Sequence, residues 1–214
     1  MNIAIIGGRG NGTVIASTIE DCSKAGSMSF EKICFLNDNE TIINGYTVVG
    51  KIQNGDWRSL SENFMFIYAM SNIKQARERY DLLLKLDIPK ERFLNIIHPS
   101  AVVSNKANIG NGIAIMPNAI ISPNVTIGDH TLIYAQSFIG HDTEIGSMAF
   151  IANNASIGGR VKIKNGAHIG SNSSILERLE IGEFSICGLG SVVLENVDPY
   201  QIVAGNPAKI IKKK

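Results

Sequence analysis

Cysteine is scarce in this chain, and what there is does not pair. Cys22, Cys34 and Cys187 show neither a Cys-x-x-Cys spacing nor an even number, which fits reduced thiols better than a disulfide framework. Neither sign of charge is in excess, with 20 basic residues against 19 acidic ones, and aromatic residues make up only 7% of the chain. With no basic patch and no stacking-aromatic motif, nothing favours nucleic acid binding, and the terminal Lys212, Lys213 and Lys214 read as a solvated tail. No apolar run approaches the ~20 residues of a membrane span. The opening Met1 to Ile6 has no basic leader and runs directly into a strand pattern, so a cytoplasmic protein is expected.

What the chain does have is isoleucine in strict order. Ile109, Ile115, Ile121, Ile127, Ile133, Ile139, Ile145, Ile151, Ile157, Ile163, Ile169, Ile175 and Ile181 recur every six residues, with Val103 ahead of them and Cys187 and Val193 after. Six residues turn a helix through one and two-thirds revolutions, so a helix would scatter this column. Glycine often follows the isoleucine, as at Gly110, Gly128, Gly140, Gly146, Gly158, Gly170 and Gly182. A small or β-branched residue often lies two positions before it, as at Ala119, Thr131, Ser137 and Ala155. The unit is a strand and a corner: the aliphatic side chain fills a narrow core, and glycine stands where a Cβ would collide. Stacked, these units form a parallel β-helix. Cys187 falls in the inward column and reads as a small core residue.

Upstream of about His98-Pro99 the hexad register is absent, which divides the chain into residues 1–97 and 98–214. The first part alternates strand and helix. Asn2 to Ile6 reads as a buried strand, Thr13 to about Ala25 as a helix, and Lys32 to Leu36 as a second strand. Tyr46 to Ile52 reads as a short extra strand, Phe64 to Ala69 as a third parallel strand, Asn72 to about Leu86 as a helix and Phe93 to Ile97 as a last strand. This is a half-Rossmann-like α/β unit with a parallel sheet. The loop Gly7-Gly8-Arg9-Gly10-Asn11-Gly12 between first strand and first helix offers backbone N–H groups and a helix N-terminus to a phosphate. A G-x-G-x-x-G fingerprint would place its third glycine at Thr13, and the chain has Gly12 instead, so a tight structural turn is the competing reading. Asp38 follows the second strand, where ribose or base contacts occur. A nucleotide-sugar suits so short a unit better than a dinucleotide.

Three hexads make one coil, so residues eighteen apart stack at the ~4.8 Å strand spacing. None of His98, His130, His141 and His168 are separated by a multiple of eighteen, so a compact metal site within one chain is not expected, which counts against a carbonic-anhydrase-like zinc reading. His130 and His168 read as surface histidines. His141 is different. It follows Ile139-Gly140, precedes Asp142, and has Gly159 one coil later, which places a potential general base beside a backbone N–H that could stabilise an oxyanion. A solvent-exposed corner histidine is the bland alternative.

The hexads, the closing Val203-Ala204-Gly205-Asn206-Pro207-Ala208-Lys209, the glycine loop, Asn37-Asp38 and the Ile139-Gly140-His141-Asp142 corner together resemble one family. They are similar to the hexapeptide-repeat, left-handed β-helix N-acetyltransferases of nucleotide-4-amino-sugars of the bacillosamine-pathway type. Sialic-acid O-acetyltransferases share the plan. The resemblance implies a homotrimer with active sites between neighbouring β-helices, acetyl-CoA as donor, no metal, and a nucleotide-amino-sugar on the first domain. It assigns His141 as base, Asp142 as its modulator and Gly159 as the donor facing the thioester oxygen. Phe150, Ser171 and Leu189 would touch acetyl-CoA, while Arg9, Gly10, Asn11, Asn37 and Asp38 would contact the nucleotide. Some relatives carry a second histidine where Phe150 stands, and Ser and His where Arg9 and Asn11 stand. The alternatives are O-acetylation of a sialic-acid-type sugar and a non-catalytic trimeric scaffold that binds a nucleotide.

Overall fold

The computed structural model describes residues 1–213, and Lys214, the end of the basic tail, lies outside the described residues. Strands β1 (Asn2–Ile6), β2 (Lys32–Leu36), β3 (Ile42–Ile43), β4 (Tyr46–Gly50) and β5 (Phe64–Tyr68) form one sheet in the order β3-β4-β2-β1-β5. Within it β4, β2, β1 and β5 run parallel, while β3 and β4 make an antiparallel hairpin. Helix α1 (Asn11–Lys24) buries Gly12, Ile15, Ala16, Ile19 and Cys22, the three-and-four spacing of a single helical face. Helix α2 covers Ala76–Leu86, four residues short of its expected start. The reason is local: Asn72 Oδ1 accepts the Lys74 N–H at 2.9 Å and its carbonyl accepts the Gln75 N–H, so a turn competes with the first helical turn.

The segment expected as the last strand of this unit behaves otherwise. Phe93 makes one isolated bridge to Phe66, and Ile96–Ile97 then pairs with Ala114–Ile115 as the opening rung of the β-helix. From there the chain winds a left-handed three-walled prism of two-residue strands. The first wall stacks Ile96–Ile97, Ala114–Ile115, Leu132–Ile133, Phe150–Ile151, His168–Ile169 and Ile186–Cys187. Val102–Val103, Ile120–Ile121, Phe138–Ile139, Ser156–Ile157, Ser174–Ile175 and Val192–Val193 make the second. Five more, from Asn108–Ile109 to Glu180–Ile181, make the third. Every rung is parallel to the next with an offset of eighteen residues, as in Ile121↔Ile139 and Ile139↔Ile157. Gln201–Gly205 and Ala208–Lys213 close the end as an antiparallel hairpin.

From Ile115 to Ile181 the isoleucine column is buried, Ile109 packs against it from a partly buried position, and Cys187 is fully buried. Burial of one such side chain contributes roughly 1.5–3 kcal/mol. The small residues two positions earlier share this core, and where they carry hydroxyls the groups are satisfied: Thr131 Oγ1 donates to the Gly146 carbonyl at 2.8 Å and Ser137 Oγ to that of Tyr134 at 2.7 Å. The corner glycines have a different task from the left-handed residues. A Cβ on Gly128 would lie 2.6 Å from the Ser147 nitrogen, and one on Gly140 equally close to the Gly159 nitrogen, so glycine is needed there for the approach of the next coil. Positive φ falls two residues later, largely on asparagine, aspartate and other non-glycine residues such as Asn124, Asp142 and Asn154.

The two parts share a core. Outward residues of the first wall, Ala114, Met116, Leu132 and Tyr134, pack with Ile3, Ile5, Ile15 and Ile19 in a single apolar cluster. Hence these outward positions are apolar or aromatic. Gly128→Ala is expected to lower stability by roughly 1–3 kcal/mol through overpacking. Ser122→Ala, at the equivalent position of another wall, should stay within about 0.5 kcal/mol. Urea midpoints of the two variants measure the difference.

Candidate active site

His141 and Asp142 occupy the corner between the second and third walls, and the left-handed φ of 57° at Asp142 folds its carboxylate back toward the preceding ring. Asp142 Oδ2 lies 2.7 Å from His141 Nδ1. An ionised carboxylate only accepts, so Nδ1 carries the proton and a neutral ring leaves Nε2 as its lone-pair nitrogen. The carboxylate is itself held from both neighbouring coils: Asn124 Nδ2 donates to Oδ1 at 2.9 Å, and an Arg160 nitrogen is 3.7 Å from Oδ2. The bonds from His141 and then Asn124 keep Asp142 below the usual carboxylate range.

Gly159 sits one coil beyond His141, as the eighteen-residue spacing requires. A Cβ there would be 2.9 Å from His141 Nε2, so any other residue would displace the imidazole. The Gly159 N–H has no hydrogen-bond partner among the described residues. At the corner between the third and first walls two of the corresponding N–H groups are taken: Asn111 donates to Asp129 Oδ1 and Ser147 to Asn165 Oδ1. The structure therefore brings together a half-exposed imidazole, its carboxylate partner and an open backbone donor. Asn124 and Arg160 escaped the reading of the sequence, although each stands one coil from Asp142 and the same arithmetic reaches them.

The expected donor contacts are elsewhere. Ser171 and Leu189 stack on the corner between first and second walls, where Leu189 is 81% exposed. Phe150 projects from the first wall, its ring 4.8 Å from that of Tyr134 and stacked at 4.7 Å on His168. A single chain does not bring Phe150 to His141.

Around the glycine loop, most polar groups have structural partners. Arg9 places Nε and a terminal nitrogen 2.9 and 2.8 Å from Glu40 Oε2. Asn37 Nδ2 donates to the Gly7 carbonyl and its Oδ1 accepts the N–H groups of Asn39 and Glu40, while Asp38 Oδ1 accepts the Gln53 N–H. Asn11 bonds Ser71 and Tyr134. Gly10, at φ 79°, precedes α1, whose first turn has no side-chain cap and no acidic residue, leaving its N–H groups directed outward. Gly12, not residue 13, performs the close helix–strand contact: a Cβ there would be 2.8 Å from the Phe35 ring.

His130 and His168 are not surface histidines. His130 packs edge-on against Phe93 at 4.3 Å, and burial lowers each of these imidazoles to about 4. Among the described residues no group of three or more His, Cys, Asp or Glu side chains is placed to hold a metal, and no helix is long and apolar enough to cross a membrane.

Residues 2–83 match the family model described as PglD N-terminal domain, and residues 106–141 and 142–177 match bacterial transferase hexapeptide (six repeats). Among curated proteins, the chain is 33% identical over 119 residues to UDP-N-acetylbacillosamine N-acetyltransferase of Bacillus subtilis (strain 168), a match covering 54% of this chain and 51% of that protein. The matched segment thus spans about half the length of the curated relative. Among solved structures, the acetyltransferase domain of PglB from Neisseria gonorrhoeae FA1090 in complex with acetyl coenzyme A superposes with a TM-score of 0.84 at 27% identity, over 98% of both chains. A histidine-to-asparagine mutant of perosamine N-acetyltransferase from Caulobacter crescentus, in complex with CoA and GDP-perosamine, gives 0.84 at 25% identity, over 99% of this chain and 97% of that one.

The native protein leaves His130 and His168 neutral where the unfolded chain, with imidazoles near 6.5, takes up protons. Stability is therefore full above about pH 6.5 and falls as pH drops toward 4. The urea midpoint is expected to decline on acidification through this window, and His168→Phe to make that decline shallower. The chain pairs a PglD-type N-terminal domain with a hexapeptide-repeat β-helix, and its fold is that of the acetyltransferase structures to which it is similar.

Proposed function

We propose that the protein transfers an acetyl group from acetyl-CoA to the 4-amino group of a nucleotide-linked amino-deoxy sugar, directly and without a covalent enzyme intermediate. The observation that carries this reading is the His141 corner: Asp142 fixes the tautomer at Nδ1, and Nε2 faces the open side beside Gly159. His141 Nε2 takes the proton that the sugar amine loses as its nitrogen adds to the thioester carbon. The Gly159 N–H donates to the carbonyl oxygen as charge develops there, an interaction worth ~3–4 kcal/mol in comparable sites. The imidazolium, steadied by Asp142, returns the proton to the departing thiolate, and amide and free thiol result. No cysteine takes part, in keeping with the buried Cys187, whose thiol is pushed up to about 12 by burial.

Two features of shape support acetyl-CoA as donor. Ser171 and Leu189 leave an open corner along which an extended arm can lie against backbone, and Gly170 lets the Leu189 nitrogen approach within 2.6 Å of where its Cβ would be. The nucleotide would seat at the glycine loop, with Gly10 and the N-terminus of α1 toward its diphosphate, Asn11 beside them, and Asn37 and Asp38 at its other end. Arg9 reaches a phosphate by exchanging Glu40 for it, a charge-assisted substitution.

A homotrimer follows from the same reading. The second wall lies between the His141 corner and the Ser171 corner, and its outward column exposes Val102, Ile120 and Phe138, with Leu176 and Leu194 beside it. An apolar stripe of this kind suits burial against another copy. Packing copies through it would bring His141 of one chain toward the donor-binding surface of the next, which one chain alone does not accomplish.

His141→Ala is expected to depress kcat at least ~100-fold with acetyl-CoA binding retained. Thiol release from acetyl-CoA with UDP-, GDP- and dTDP-linked 4-amino-sugars, with mass confirmation of the amide, measures it. Near-normal turnover in that variant would remove His141 from the mechanism. Acetylation of free sialic acids in preference to the amino-sugars would favour the O-acetyltransferase alternative, and nucleotide binding with no CoA binding by calorimetry would favour a scaffold.

A further inference from the structure

Asn11 stands at the first position of α1, inside the glycine loop, yet both ends of its amide are occupied by protein. Its Oδ1 accepts the Tyr134 hydroxyl at 2.6 Å, and its Nδ2 donates to the Ser71 carbonyl at 3.2 Å. One side chain thus joins three pieces: the glycine loop, the segment that follows β5, and the first wall of the prism. Tyr134 is buried, and its ring lies 4.8 Å from Phe150, whose ring is in turn stacked face to face on His168 with planes 2° apart. A path of direct contacts therefore runs from the loop that would seat the nucleotide to the aromatic face expected to meet the donor.

We infer that Tyr134 and Asn11 form a positioning strut that sets the register of the glycine loop against the Phe150 face, so that Asn11 acts through Tyr134 and not by touching the nucleotide. This rests on the acetyltransferase reading for its kinetic meaning. The physical need is plain: the first domain would hold one substrate and the prism the other, and a misplacement of about 1 Å between reacting groups can cost on the order of 100-fold in rate. Apolar packing between the domains resists separation but is tolerant of sliding, whereas a short hydrogen bond between a buried phenol and an amide fixed at its other end is directional. Thr18 Oγ1 to Met116 Sδ and Cys22 Sγ to the Ile97 carbonyl also cross the junction, but from the middle and far turns of α1. The Asn11–Tyr134 bond is the one made at the loop itself.

The test compares Tyr134→Phe, Asn11→Ala, Asn11→Asp and the Tyr134→Phe/Asn11→Ala double variant. Tyr134→Phe keeps the ring and removes only the hydroxyl. Its kcat is expected to fall about 10-fold while calorimetric Kd values for acetyl-CoA and for the free nucleoside diphosphate stay within about twofold, a split that lost folding would not produce. The double variant should be no slower than Asn11→Ala, and Asn11→Asp, which keeps an acceptor for the phenol, should recover part of the loss. Additive losses, or a nucleotide Kd weakened by Asn11→Ala alone, would mean that Asn11 touches the ligand and would overturn the inference. Amide hydrogen exchange supplies a readout independent of turnover. Residues 7–12 should exchange faster in Tyr134→Phe than in the wild type, and unchanged protection there refutes the strut. Absence of thiol release from the wild type with every amino-sugar tried would defeat the acetyltransferase reading, with the exchange result still deciding the strut.

Discussion

Coil-to-coil backbone pairing at an offset of eighteen residues is the constraint on which this molecule depends. It places isoleucine on isoleucine through the prism and forces every corner residue to stand on the residue one turn before it. Once that stacking exists, the His141 corner is not assembled from distant loops. His141 meets Gly159, and Asp142 is gripped between Asn124 and Arg160, because these pairs are eighteen apart. Glycine at position 159 then has a physical reason: the imidazole of the preceding coil fills the space of a side chain.

The same geometry explains why the first wall departs from the simple pattern of inward apolar and outward polar residues. Its outer surface is the floor of the first domain's core, so Ala114, Met116, Leu132 and Tyr134 turn outward and are buried. His168 belongs to this setting. Stacked on Phe150 and partly buried, it is held neutral by that burial. His141 has an aspartate and open solvent beside it, whereas His130 and His168 are packed against aromatic rings.

Much of this was legible in the residues. The hexad column gave the prism, the breakdown of the register near His98 marked where the grammar changes, and strand and helix alternation led to the parallel sheet. The His141, Asp142 and Gly159 grouping followed from arithmetic alone. Readings that missed share one cause. The start of α2, the fate of Phe93 to Ile97, the burial of His130 and His168, and the occupied amide of Asn11 all depend on what a segment meets across the junction between the two parts or in a local turn. No periodicity within one part reports on the surface of the other.

The division between sequence and fold follows from that. A repeat whose period equals its structural step carries its own geometry, because each contact is made with a residue at a fixed distance along the chain; the order of the amino acids alone therefore determined the prism, its core and the pairing at the corner. The docking of a sheet and helix on one wall of that prism involves residues with no fixed separation, such as Asn11 and Tyr134. Only the tertiary structure decided which histidines are hidden, which amides are occupied, and which wall is left apolar and open, since these depend on the complementarity of two surfaces that the chain specifies separately.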